Sequence, residues 1–124
     1  FTFKIDPVIL LNVMKFSNTL TKEFAFATNF KIADGKLVIT CAYKNMFDKI
    51  ERIVIELPVF EPKVFYDTSC NLNGKYVLDA MTGLVHAELI TVELSSVNPS
   101  SFYVKDDRKV LIMPISNRCS LHYG

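Results

Sequence analysis

Hydrophobic and polar positions alternate, or recur every three to four residues, in a similar order in both halves of the chain. Residues 1–5 alternate with a period of two, which predicts a short strand. Asp6 and Pro7 come next, and these residue types are favoured at a helix N-cap and first helical turn. We therefore predict a helix that extends to about Leu20.

A hairpin is the next predicted feature. The segments EFAFATNFKI and KLVITCAYKN alternate on either side of Asp34-Gly35, a dipeptide typical of tight hairpin turns. IERIVIEL predicts a third strand of this half, and VFEPKVFYDTS predicts a turn and another strand. Pro58 and Pro62 should mark its edges, because proline cannot donate to a strand ladder.

The second half repeats the order of strand, helix and strands. It begins with the polar run from Asn71 to Gly74, and KYVLDAMTGLVHA then has apolar residues at the helical spacing. ELITVELSS, SFYVKDD and KVLIMPIS predict three more strands, with turns at Asn98-Pro99 and Asp106-Asp107. The apolar helix positions are Val77, Leu78, Met81, Leu84 and Val85. The expected fold class is α+β, with seven or eight strands and two helices packed on one face of mostly antiparallel sheets.

Composition fits one ordinary domain with its own core. The chain has 124 residues, of which 50% are hydrophobic. Lys plus Arg number 14 against 13 Asp plus Glu, so no overall basic field predicts tight binding to nucleic acid. No run of about 18 apolar residues predicts a membrane span, and we expect a cytoplasmic protein.

Candidate chemistry is sparse. Cys41, Cys70 and Cys119 are far apart and predict ordinary reduced thiols. His86 and His122 have no Cys, Asp or Glu at ligand spacing. Motifs of phosphate-binding loops, serine hydrolases and zinc proteases are lacking. The sequence predicts no metal, no cofactor and no enzyme activity.

The second half resembles a known family. Tyr76-Val77-Leu78-Asp79 together with Met113-Pro114 is similar to the third, C-terminal domain of the bacterial DNA polymerase III β subunit, the sliding clamp. LLNVMKFSNTL and ADGKLVIT resemble the first helix and the hairpin of that domain. The resemblance implies a DNA-clamp fold of two strand-helix-strands repeats, with residues 1–115 as a single clamp-type domain. Residues 116–124 then form a C-terminal tail that the family usually lacks.

The family binds short peptides of polymerases and other partners in a hydrophobic pocket of this domain. Methionine and proline beside aliphatic residues suit such a pocket, and tyrosine and asparagine can hold a peptide backbone. For Leu111 and Val97 an ordinary core position is an equal alternative, because alternate strand residues face inward in any sheet. The resemblance implies these partner-peptide residues: Asn73, Tyr76, Val97, Pro99, Leu111, Met113, Pro114 and Ile115.

Two further surfaces follow from the ring that the family forms. Polar residues at helical spacing would face the DNA, although ordinary solvated helix faces are an alternative. The mixed charges of CAYKNMFDKIERI would meet the next subunit, or else simply protect a sheet edge. The DNA-facing set is Asn12, Lys15, Thr19, Lys75, Thr82 and His86, with Asp79 in the same stripe. The subunit-interface set is Lys44, Asp48, Lys49, Glu51 and Arg52.

The expected function is therefore a non-catalytic domain of a replication processivity factor. Its full-length protein would be a homo-oligomeric ring around duplex DNA, without sequence preference. Its partners would be DNA polymerase, the clamp loader and repair proteins. The alternative is a stand-alone clamp-fold module that binds clamp partners without encircling DNA. An unrelated hydrolytic enzyme is a third and more remote alternative.

Overall fold

A computed structural model of the chain describes residues 1–65, 68–104 and 109–115. The predicted turn at Asp106-Asp107 and the predicted tail 116–124 lie outside the described residues. The elements are β1 (Thr2–Ile5), α1 (Pro7–Leu20), a short 3-10 turn (Lys22–Phe24), β2 (Ala27–Ala33), β3 (Lys36–Lys44), β4 (Ile50–Pro58), β5 (Phe60–Lys63), β6 (Ser69–Asn73), α2 (Gly74–Thr82), β7 (Ile90–Glu93), β8 (Ser100–Tyr103) and β9 (Lys109–Ile112).

The described strands form two sheets. The five-stranded sheet has the order β5-β1-β7-β8-β9, and the four-stranded sheet has the order β4-β3-β2-β6. Within each sheet, every pair of neighbouring strands is antiparallel. The predicted α+β class is confirmed. The predicted count of seven or eight strands was too low, because VFEPKVFYDTS contains all of β5 and the start of β6, and Pro62 lies within β5.

Helix α1 follows the prediction. The Asp6 carboxylate accepts a hydrogen bond from Val8 N at 2.9 Å, and Pro7 is the first helical residue. This satisfies one of the backbone donors that a helix N-terminus leaves without a partner. Leu10 and Met14 are fully buried on one face of the helix. The local sequence therefore determines both the start and the buried face of α1.

The turn before β2 differs from the prediction. The hairpin at Asp34-Gly35 is present, with φ of 52° and 74°. However, β2 begins at Ala27 rather than at residue 23. Ala25 and Phe26 have φ of 53° and 59°, and their backbone N–H groups donate to Lys22 O and Thr21 O. Because these two N–H groups close a turn, they cannot donate to a neighbouring strand, and β2 begins after them.

Helix α2 is shorter than the apolar spacing predicts. It ends at Thr82, with Gly83 as its C-cap, although the predicted helix continued to Val85 and His86. Leu84 N donates to Met81 O at 3.0 Å, three residues back, so a turn follows the helix. Such a turn keeps a spacing close to that of a helix, and Leu84 is still fully buried. His86 therefore lies outside α2.

Both helices pack into one core with the two sheets. Buried residues of β1, α1, β2, β3, β6, α2, β7 and β8 form a single hydrophobic cluster. The helices contact each other where Asn18 Nδ2 donates to Gly74 O at 3.0 Å. A Cβ atom at Gly74 would lie 2.4 Å from Asn18 Oδ1, so only glycine allows this approach. Among the described residues no helix is long and apolar enough to cross a membrane.

Candidate functional site

A cleft of about 440 Å³ lies between α2 and β9. It is lined by Tyr76, Asp79 and Ala80 of α2 and by residues 110–113, of which the last follows β9. Tyr76, Leu111 and Met113 are 57%, 61% and 63% exposed. Three large side chains with much apolar surface therefore stand open to solvent around one depression.

The local structure explains why these side chains are exposed. β9 is the last strand of the five-stranded sheet, so one of its edges is unpaired among the described residues. Its side chains alternate, with Ile112 buried and Leu111 exposed. On α2, Tyr76, Asp79 and Ala80 are separated by three and four positions and therefore share one helix face. The cleft thus forms where that helix face meets an open sheet edge.

The structure brings together Tyr76, Leu111 and Met113 of the predicted peptide residues. Asn73 lies at the start of α2, where its side-chain oxygen accepts a hydrogen bond from Lys75 N at 2.9 Å and caps the helix. Pro114 follows Met113 and is half-buried. Ile115 turns towards the other sheet, since its N–H donates to Asn71 O at 2.8 Å.

Val97 and Pro99 are not brought into this cleft. They lie in the loop between β7 and β8, where Ser95 Oγ accepts hydrogen bonds from Val97 N and Asn98 N. Val97 is 74% exposed and lines a different concavity, together with Phe1 and other residues. The sequence pattern could not show that Val97 and Pro99 lie apart from the cleft, because it places them only after a strand.

Sequence reasoning missed several lining residues. Ala80, Val110 and Ile112 were not predicted as site residues, and Asp79 was assigned only to the polar stripe of α2. The spacing of Tyr76 to Asp79 and Ala80 was a usable signal, because residues three and four apart are neighbours on a helix. No comparable local signal connects α2 with β9.

The exposed face of α1 is mixed in character. Asn12, Lys15 and Thr19 are exposed, as the polar stripe predicts. Thr19 Oγ1 donates to Phe16 O at 2.6 Å, within its own helix. Phe16 is 53% exposed beside these residues, and Val8 and Ile9 are also exposed. Apolar Phe16 therefore lies among the exposed polar residues of α1.

The α2 side carries few charges. Lys75 is exposed, and its ammonium lies 5.9 Å from the centroid of the Phe26 ring. Thr82 is exposed, and its hydroxyl donates to Leu78 O at 2.9 Å. His86 is exposed in the turn after the helix. Since Asp79 offsets one of the two lysines at positions 15 and 75, the helix faces hold little net positive charge.

Comparison with solved structures identifies the fold. The DNA polymerase III β subunit of Thermotoga maritima superposes with a TM-score of 0.75 and 17% identity over 92% of this chain. The β chain of Streptococcus pneumoniae gives 0.75 and 20% over 94%, and the β subunit of Pseudomonas aeruginosa gives 0.67 and 17% over 93%. The chain has the fold of a sliding-clamp domain.

Solved structures of this fold match the chain, whereas two other comparisons found no match. No protein-family model matches the chain, and no curated protein matches it. The chain spans 30% of the length of each of the three solved structures. The predicted resemblance to one domain of the clamp is confirmed at the level of the fold.

The β3–β4 hairpin of this clamp fold has a hydrogen-bonded and charged turn. Lys44, Asp48, Lys49, Glu51 and Arg52 are all exposed. Lys44 Nζ lies 3.7 Å from Asp48 Oδ1. The Tyr43 hydroxyl and the Asn45 amide donate to the Glu51 carboxylate and hold the pKa of Glu51 below its ordinary value. The predicted interface residues therefore lie together around one hairpin.

A further concavity, of about 660 Å³, lies on the outer face of the five-stranded sheet. Lys4 and Glu61 line it and form an ion pair at 2.9 Å, which lowers the pKa of Glu61. Tyr103 and Glu93 also line it, and there burial and the Glu93 carboxylate raise the tyrosine pKa. The charges of this surface are largely engaged with each other.

The described residues contain no group of three or more His, Cys, Asp or Glu side chains that could hold a metal ion. Cys41 and Cys70 are buried, and burial raises the pKa of the Cys41 thiol. A raised pKa disfavours the thiolate, which is the nucleophilic and metal-binding form. Cys119 and His122 lie outside the described part of the chain.

Proposed function

We propose that this chain acts as a sliding-clamp domain, a non-catalytic scaffold whose cleft between α2 and β9 binds a short partner peptide. The observation that carries the proposal is the cleft itself, with Tyr76, Leu111 and Met113 exposed around it in a clamp fold. Soluble proteins seldom leave large apolar side chains grouped in a depression without a binding role. The partner class is a peptide with aliphatic and aromatic anchors.

The chemistry of the cleft suits such a peptide. Met113 is unbranched and flexible, so it can adapt to anchors of different shape. Tyr76 offers apolar ring surface and a hydroxyl, and the Asp79 carboxylate can accept a hydrogen bond from a peptide N–H group. The open edge of β9 offers backbone groups for an extended chain.

The same proposal assigns the exposed faces of α1 and α2 to duplex DNA. Lys15 and Lys75 would contact phosphates, which carry no sequence information and so permit sliding. With Asp79 nearby in sequence and only two lysines, each contact is weak, as sliding requires. Lys44, Asp48, Lys49, Glu51 and Arg52 would meet a neighbouring subunit in a ring that includes further domains. The processivity role belongs to that assembly.

A peptide titration tests the cleft. The probe is a short fluorescent peptide with adjacent leucine and phenylalanine anchors, measured by fluorescence anisotropy against the purified chain. Tyr76→Ala and Met113→Ala should each weaken binding by about tenfold, since each removes a large apolar contact. Both side chains are more than half exposed, so the fold should survive their truncation.

Val97→Ala is the matched control. Val97 is also a large exposed apolar residue, but it lies outside the cleft. It should leave the affinity for the peptide within about twofold of the wild type. The proposed cleft is wrong if Tyr76→Ala and Met113→Ala bind as tightly as the wild type, or if Val97→Ala weakens binding as much as they do.

A stand-alone interaction module is the second candidate. The exposure of Val8, Ile9 and Phe16 on α1 favours it, because apolar side chains suit a protein surface better than a DNA backbone. Both candidates share the cleft and differ at the helix faces. Binding of duplex DNA at increasing salt separates the two candidates. Salt-sensitive binding that the double variant Lys15→Glu/Lys75→Glu loses would support the clamp role. Absence of such binding would support the module.

A further inference from the structure

Asp79 brings a negative charge to the cleft between α2 and β9. The described residues that line the cleft with it are Tyr76, Ala80 and residues 110–113, and none of these is charged at neutral pH. Asp79 is exposed, so its carboxylate is open to solvent. Among the described residues, the lining therefore holds one formal negative charge and no positive charge.

Helix stability does not explain an aspartate at this position. Asp79 lies in the last turn of α2, which ends at Thr82 and has no basic residue in that turn. A negative charge there is unfavourable, because the carbonyl groups at a helix C-terminus already carry partial negative charge. Aspartate also has a low helix propensity. Its side chain forms no ion pair with another described residue that would offset these costs.

The lysines on the two elements of the cleft lie near aromatic rings instead of Asp79. Lys75 is one turn before Asp79 on α2, but its ammonium lies 5.9 Å from the centroid of the Phe26 ring. Lys109 begins β9, and its ammonium lies 5.1 Å from the centroid of the Tyr103 ring. The electron-rich face of an aromatic ring attracts such a cation. The negative charge of the cleft therefore stays available to a ligand.

A carboxylate without a partner beside apolar surface discriminates between ligands by their charge. A peptide with lysine or arginine next to its apolar anchors gains an ion pair with Asp79, and the C-terminal end of α2 adds attraction of the same sign. A peptide with aspartate or glutamate at that position is repelled by both. The net charge of the chain is +1, so its overall field does not favour a basic ligand. Selection of a basic peptide must therefore come from the local charge of the cleft.

We propose that Asp79 makes the cleft selective for a peptide that carries a basic side chain beside its aliphatic and aromatic anchors. This inference rests on the proposed peptide-binding role of the cleft and adds the charge of the preferred partner. The apolar anchors would contact Tyr76, Leu111 and Met113, while the basic group stays at the exposed carboxylate. Lysine and arginine suit this arrangement, because their apolar stems can lie along the cleft wall while the charged end remains in water.

Matched peptides test the selectivity. Three peptides share one pair of leucine and phenylalanine anchors and carry lysine, glutamine or glutamate at one flanking position, and a second set varies the other flank. Fluorescence anisotropy at low salt gives the dissociation constant of each peptide for the purified chain. At one of the two flanks the lysine peptide should bind about threefold to fivefold more tightly than the glutamine peptide, and the glutamate peptide should bind most weakly. The preference should shrink in about 0.5 M salt, which screens exposed charges.

Variants of Asp79 test whether its charge causes the preference. Asp79→Asn keeps the size of the side chain and removes the charge, so the ratio of the glutamine-peptide to the lysine-peptide dissociation constant should fall to about one. Asp79→Lys should reverse the order, so that the glutamate peptide binds most tightly. Glu56→Gln is the matched control, since Glu56 is an exposed carboxylate on β4, outside the cleft. It should keep the wild-type ratio, and circular dichroism should show the same fold for all variants.

The outcomes separate the selectivity from the binding role on which it rests. Equal affinities for the three peptides at both flanks would overturn the selectivity and leave the proposed peptide cleft in place. A lysine preference that persists in Asp79→Asn would also overturn it, because the selecting charge would then lie elsewhere. Failure of every peptide to bind the wild-type chain would instead reject the peptide-binding role itself, and the selectivity with it.

Discussion

At the scale of the residue, one glycine sets the distance between the two helices. Gly74 begins α2 and accepts a hydrogen bond from Asn18 Nδ2 of α1 at its carbonyl oxygen. Asn18 Oδ1 is buried, has no hydrogen-bond partner among the described residues, and points at the space where a Cβ of residue 74 would be. The requirement for glycine here is steric, because its φ is not in the left-handed region.

We expect Gly74→Ala to lower the free energy of unfolding by about 1–3 kcal/mol, as overpacking of a tight contact does. The added Cβ would lie 2.4 Å from Asn18 Oδ1 and 3.0 Å from Thr28 Oγ1. In an Asn18→Ala background the same change should cost less, since the closest atom is gone. Urea denaturation of the four proteins of this double-mutant cycle measures the coupling, and equal costs in both backgrounds would contradict it.

At the scale of the element, side-chain caps determine where both helices begin. The oxygens of Asp6 and Asn73 each accept a hydrogen bond from a backbone N–H two residues ahead, at 2.9 Å. These residues were predicted for different reasons, Asp6 as a cap and Asn73 as a peptide contact. The structural role of Asn73 explains its residue type without a ligand, because asparagine is among the best N-cap residues.

We expect Asp6→Ala and Asn73→Ala each to lower the free energy of unfolding by about 1 kcal/mol. Asp6→Ser and Asn73→Asp keep an acceptor oxygen and should stay close to the wild type. Thermal and urea denaturation followed by circular dichroism measures both effects. If Asn73→Ala is as stable as the wild type and yet loses the peptide, its side chain contacts the partner instead of capping α2.

At the scale of the whole molecule, one core joins both halves of the chain. Leu10 of the first half and Phe102 of the second are buried in the same hydrophobic cluster, at 0% and 1% exposure. The cluster includes residues of both helices and both sheets. Because both halves contribute to this main cluster, we expect the two halves to unfold as one cooperative unit.

We expect Leu10→Ala and Phe102→Ala to destabilise the entire chain, by about 2–5 and 3–5 kcal/mol. Near-ultraviolet and far-ultraviolet circular dichroism should lose their signals in one coincident transition for each variant. Val97→Ala is the surface control and should unfold as the wild type does. Two separate transitions in either core variant would mean that the halves fold independently.

Much of the fold was predictable because its signals are local. Asp6-Pro7 and Asp34-Gly35 each act through backbone groups a few residues away, and the structure has a helix start and a hairpin there. The errors in the predicted start of β2 and end of α2 come from local turns. The left-handed residues Ala25 and Phe26 and the turn after Thr82 have no marker in the alternation of polar and apolar positions.

The candidate site divides in the same way. The sequence by itself determined that Tyr76 lies on a helix and Leu111 on a strand, since period and capping depend on near neighbours. Only the tertiary structure decided that these two face one cleft while Val97 lines another concavity. The reason is that convergence of α2 with β9 depends on packing between segments far apart in the chain, where no local periodicity records which surfaces will meet.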